Sequence, residues 1–195
     1  MDNPFSRPFE SFKEAKAYLA GLEYSSGEFL DFRLEVAGIQ LDAAPRLLGK
    51  GAPSGNKAIV EELPSSCCNA EAADSLLKDL CKSLERWKLV APEALQPVLA
   101  SSPSPPDLVR RVRSQDGAFF EEEAKRLGCT ASFLYFLAEE MARPMLACLN
   151  VEGKGDTRED AKRGSCPVCG HEPHSARILK EEKERFLHCS LCTGT

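Results

Sequence analysis

The sequence predicts a mainly α protein in two parts, an N-terminal helical bundle followed by a small zinc-ribbon-type module built on four cysteines. Three observations predict it. Apolar residues recur at helical three-and-four spacing in successive segments up to residue 150. Strand-like patterning is confined to one pair of segments near the end, 176–179 and 185–188, flanking a charged tip. Around that pair stand Cys166/Cys169 and Cys189/Cys192, two Cys-x2-Cys motifs separated by 19 residues. The expected boundaries are a bundle over 1–150, a polar linker over 151–165 and a metal module over 166–195.

Taken in order, residues 10–22 read as a first helix, with Phe12, Ala15, Leu19 and Leu22 on one stripe and Ser11 able to cap it. A second helical run starts near Gly27 and carries Phe29, Leu30, Phe32, Leu34, Val36, Ile39 and Leu41, fading around Pro45. That density predicts burial on more than one side. Residues 49–55 hold three glycines and a proline and form a loop. No Lys-Ser/Thr pair follows these glycines, so a phosphate-binding loop is not supported.

After Pro64, one of Ser65, Ser66 or Asn69 starts a helix with Ala73, Leu76, Leu77, Leu80, Leu84 and Trp87 on its inward stripe. Trp87 is expected as a core anchor and Cys81 as a small hydrophobe beside it. A proline-rich break follows (Pro92, Pro97, Pro103, Pro105, Pro106). Its end has the chemistry of a helix start: Ser104 to cap, Pro105 where a missing amide costs nothing, and Asp107 in a capping-box position. Leu108, Val109 and Val112 then face inward. Arg110, Arg111 and Arg113 face out, as a solvated face or, alternatively, an anion or partner site.

Asp116-Gly117 restarts the helix, with Glu121 and Glu122 four residues before Lys125 and Arg126. Gly128 is placed to close it and Thr130 to cap the next. Residues 131–149 are the most apolar run and the expected central helix, with Pro144 inside it as an expected kink. Glu139-Glu140 would bind metal only with a matching motif on another helix. No Glu-x-x-His occurs in the chain, so a di-iron bundle is excluded.

The four spaced cysteines supply soft thiolates for a closed tetrahedral site, with Cys166, Cys169, Cys189 and Cys192 as ligands to one zinc, iron being the alternative. Gly170 suits the tight turn after the first pair. Two disulfides fit less well, since the N-terminus lacks a basic start followed by an apolar run and a reducing, cytoplasmic location follows as the default. A thioredoxin-like motif needs a βαβ unit, and none precedes Cys166. His171, His174 and His188 are dispensable as ligands when four sulfurs close the shell. No catalytic or cofactor-binding constellation is visible, so the expectation is a non-enzyme.

Charge limits the partners. The formal charge of −5, with eight acidic and eight basic side chains from Val151 onward, argues against a nucleic-acid surface. The most apolar uncharged stretch, 127–138, is too short for a bilayer, which takes about 20 residues.

Three segments together carry a resemblance: Cys166-Pro-Val-Cys169-Gly170-x-x-Pro173, then Phe186-Leu-x-Cys189-Ser-Leu-Cys192, and upstream Phe133-Leu-x-Phe-Leu-Ala-Glu-Glu-Met-Ala-Arg143-Pro144. In these the chain resembles the FdhE family, the formate dehydrogenase accessory proteins. The resemblance covers about 131–192 well and the earlier helices by general character. It implies a helical domain joined to rubredoxin-like knuckles, and a cytoplasmic accessory role of binding the catalytic subunit of a molybdenum- or tungsten-containing formate dehydrogenase during maturation. Family members continue into a second set of Cys motifs, whereas this chain stops three residues after Cys192 and has Gly194 rather than Gly directly after that cysteine. The alternatives are a nucleic-acid-binding zinc ribbon and an iron-thiolate redox protein.

Overall fold

The structure is a computed structural model that describes residues 27–47, 68–101, 103–150, 175–179 and 184–189, together with Cys166, His171 and Leu191. The expected helix over 10–22, the loop over 49–55, the linker over 151–165 and the ligands Cys169 and Cys192 lie outside the described residues.

Six helices are described: α1 (Gly27–Leu47), α2 (Ala70–Arg86), α3 (Pro92–Ser101), α4 (Pro105–Arg113), α5 (Gly117–Leu127) and α6 (Ala131–Asn150). Two strands follow, β1 (Ser175–Leu179) and β2 (Glu184–His188). The fold is mainly helical.

Local chemistry fixes most helix ends. Asn69 caps α2 by accepting from the Ala72 amide at 3.3 Å, and its own amide donates to the Leu47 carbonyl at 2.8 Å, tying the start of α2 to the end of α1. At α4, Ser104 Oγ accepts from the Asp107 amide and donates to Asp107 Oδ2 at 2.6 Å. Asp116 caps α5 through the Phe119 amide at 3.1 Å. Gly128 ends α5 at φ 69°, a left-handed conformation open to glycine without a Cβ clash. Two residues later Thr130 Oγ1 accepts from the Phe133 amide at 3.2 Å and opens α6.

Helix α6 is the hub. It packs against α1, α2, α4 and α5. Its inward face of Leu134, Leu137, Ala138, Met141, Ala142, Met145 and Leu146 is buried throughout. Leu76, Leu80 and Leu84 of α2 and Leu108, Val109 and Val112 of α4 close the same core. Each large apolar side chain among them contributes about 1.5–3 kcal/mol on burial.

Some expectations change and others hold. The proline-rich break contains a full helix, α3, with Pro92 in its first turn, Pro97 inside, and Leu95 and Val98 buried. Helix α1 is buried on more than one side, as expected: it packs on both α2 and α6, and Leu34, Ile39 and Leu41 are half-buried beyond its fully buried positions, while Phe29 at its start stands 64% exposed. Its buried positions include Ala37, Ala43 and Ala44, small residues that let a neighbour approach closely. As expected, helix α6 runs from Ala131 to Asn150 with Pro144 inside it. Trp87 caps the end of α2 half-buried, its ring edge-on to Phe32 at 6.3 Å and its indole N–H donating to Glu35 at 3.0 Å.

Candidate metal centre and its seat on the helical core

The hairpin brings the ends of the cysteine segments together. β1 and β2 pair antiparallel, with Ser175 opposite His188 and Leu179 opposite Glu184. His188 leads straight into Cys189, and His171 lies four residues before Ser175, so both cysteine segments leave the same end of the ladder. The Cys166 amide donates to the His171 carbonyl at 2.8 Å, which holds these two residues of the first segment together.

Cys166, Cys189 and Leu191 are buried, and all three belong to the contiguous apolar cluster that includes the cores of α1, α2, α4 and α6. His171 is buried too, with Nε2 3.4 Å from the hydroxyl of Tyr135 on α6. Its ring therefore faces the bundle.

Two buried free thiols, Cys189 directly after β2 and Cys166 tied to His171 ahead of β1, fit half of a tetrahedral thiolate site. Cys166 and Cys189 would hold the metal, with Cys169 and Cys192 as the partners that the spacing supplies. Bound there, the metal would cross-link the two segments. Among the described residues no group of three metal-binding side chains is assembled. Two other thiols are poorly suited to coordination or nucleophilic chemistry: burial pushes Cys81 up to about 11 and raises Cys129 above its ordinary value.

A second polar assembly lies between α1 and α6. Glu140, 1% exposed, accepts at Oε1 from Arg33 Nη1 and from Arg143 Nη1, both at 2.7 Å. Gln40 Nε2 donates to Glu140 Oε2 at 2.8 Å and to the Glu140 carbonyl at 2.7 Å. Arg33 and Gln40 are seven residues apart, two turns of α1, so both reach one point on α6. Residue spacing alone carries no sign of this assembly. The one clue is Glu140 and Arg143 standing three apart on a helix that is otherwise mostly apolar.

Two of the three arginines of α4 are engaged locally. Arg110 pairs with Asp107 at 2.8 Å. Arg111 pairs with Asp116 at 2.6 Å and lies 4.8 Å above the Phe119 ring. Asp116 titrates below its ordinary value because its carboxylate accepts the Phe119 amide and, next, the Arg111 guanidinium. On α5, Arg126 pairs with Glu123 three residues back, not with Glu122, and donates to the Ser101 carbonyl at 2.7 Å. Among the described residues no helix is long and apolar enough to cross a membrane.

Residues 165–194 match the family model for the FdhE central domain. The matched segment contains all four spaced cysteines and the hairpin between them. No curated protein matches the chain, and no solved structure does.

Proposed function

Starting from the assignment of this chain to the FdhE family, which its central-domain match supports, we propose that it is a non-enzymatic accessory protein that binds the catalytic subunit of a formate dehydrogenase during maturation. FdhE is an accessory and maturation family, and the match to its central domain suggests a formate dehydrogenase-related role. The observation that carries the finer reading is the coincidence of the matched segment with residues built into the helical core. A knuckle seated on the core presents a fixed surface to a partner, and a fixed surface loses less entropy on binding.

In this reading residues 166–195 form a rubredoxin-like module around one zinc, with iron as the alternative. The metal's task is to hold the two cysteine segments in register. Tyr135 and His171 orient the first segment against α6, and Leu191 seats the second. The protein acts in the cytoplasm, where reducing conditions keep the thiols available.

The test is co-purification. The wild-type chain, recovered from its own cells, brings down the catalytic subunit of a formate dehydrogenase, and Cys166→Ser loses both the metal and the subunit. Wild-type protein that carries metal yet recovers no such subunit would overturn the proposal. Metal analysis with visible absorption distinguishes the colourless zinc form from an iron-thiolate centre.

A further inference from the structure

Beside the Tyr135–His171 contact, a cavity of about 340 Å³ opens between α5 and α6, within the range of roughly 300–1,000 Å³ seen for ligand pockets. Its α6 wall is one stripe, with Ser132, Tyr135, Phe136 and Glu139 falling on adjacent turns. Phe120 and Glu121 of α5 face it. Phe120 is buried and packs edge-on to Tyr135, ring centroids 4.9 Å apart, which fixes the Tyr135 ring in the wall. Tyr135 and Phe136 remain half-buried, so part of each ring is open to the cavity.

The carboxylates in this wall differ from those next to them. Glu123 is committed to Arg126, and Glu140 to Arg33 and Arg143. Glu121 and Glu139 make no hydrogen bond or ion pair among the described residues. Glu121 is exposed and Glu139 half-buried. Aromatic faces beside uncommitted carboxylates attract a cation that can also lie flat. A guanidinium meets both requirements: it stacks on a ring and forks onto a carboxylate, whereas an ammonium offers only a point charge. The molecule already uses this combination once, where Arg111 lies over Phe119 while pairing with Asp116.

We propose that this cavity takes an arginine side chain from a segment of a partner protein, the guanidinium lying against Tyr135 and Phe136 and pairing with Glu139 and Glu121. Tyr135 lines the cavity and also meets His171, so the cavity lies next to the candidate metal site. Recognition of this group goes beyond the accessory role and holds whichever protein supplies the arginine.

The test is a titration of the isotope-labelled, metal-loaded full chain with a blocked pentapeptide carrying one central arginine, followed by backbone NMR at millimolar peptide. Saturable shifts at Ser132, Tyr135, Phe136 and Glu139 are expected. The lysine counterpart binds several-fold more weakly. The citrulline counterpart, similar in shape but uncharged, binds about tenfold more weakly, as does the arginine peptide to the Glu121→Gln/Glu139→Gln double variant. Both changes are isosteric at positions that are not buried, and unshifted resonances in α2 report an intact fold. Equal binding of the citrulline peptide would make the cavity a plain apolar groove and overturn the proposal. So would unchanged affinity in the double variant, or shifts confined to other surfaces. Failure of the peptide with co-purification of the catalytic subunit retained overturns this inference alone; peptide binding without co-purification overturns the accessory reading alone.

Discussion

At the α1–α6 interface three side chains converge on one buried carboxylate, whereas the knuckle end meets the same core through Leu191, two buried cysteines and a polar contact to Tyr135. The first junction is specified by charge. Two guanidiniums share one oxygen of the Glu140 carboxylate, and Gln40 satisfies the other. Such a cluster depends on its carboxylate, because removing it takes away the counter-charge that the two guanidiniums share in the interface. The second junction is specified by shape and, under the proposed function, by the metal. The difference locates rigidity in α1–α6 and sensitivity to ligation in the knuckle.

The largest expected effect lies at the charged junction. Glu140→Ala removes the carboxylate that Arg33 and Arg143 share and that Gln40 reaches, and is expected to cost about 3–5 kcal/mol in urea denaturation. A loss under about 1 kcal/mol would show that water replaces the carboxylate and that charge does not specify the interface.

At the knuckle the polar contact is longer, at 3.4 Å, and correspondingly weaker. Tyr135→Phe is expected to cost about 0.5–1.5 kcal/mol while leaving the helical content unchanged. A cost as large as that of Glu140→Ala would erase the distinction between the two junctions.

The smallest effect lies at the α5 cap, away from both. The Asp116 carboxyl is held below its ordinary value of 3.8, so its contribution is fully present above that value and is lost as pH falls through the lower folded value. Asp116→Asn should flatten this acid limb of the stability profile without altering the stability difference near neutral pH between Tyr135→Phe and its parent. An unchanged acid limb would remove Asp116 from the set of residues that set acid stability.

Much of the helical core is legible in the sequence because it follows from near-neighbour chemistry. The stripe Ala73–Leu76–Leu80–Leu84, the Ser104 and Asp116 caps and the Gly128–Thr130 junction all express themselves within a turn or two. Helix α3 is hidden because Pro97 deletes a backbone donor inside it, a local penalty outweighed by the burial of Leu95 and Val98 against the rest of the fold. The Glu140 cluster is hidden for a different reason. Its partners on α1 lie 100 and 107 residues away in the chain, and no periodicity links α1 to α6 across that distance. At the candidate metal site the four cysteines proposed as ligands are legible from spacing alone, but the seat is not. That His171 faces Tyr135, and that Leu191 joins the helical core, depends on how β1 and β2 return the chain to α6.

If the knuckle end and the helical core are one packed unit held in register by a metal, removing that metal must loosen the helix the knuckle sits on. Amide hydrogen exchange on the purified protein, before and after treatment with a chelator, reads this out residue by residue. Faster exchange is expected after chelation over residues 131–138 of α6, where Tyr135 meets His171, with α2 unchanged over Ala70–Arg86. Exchange in α6 that is indifferent to chelation, or that rises equally in α2, would contradict a metal-held unit.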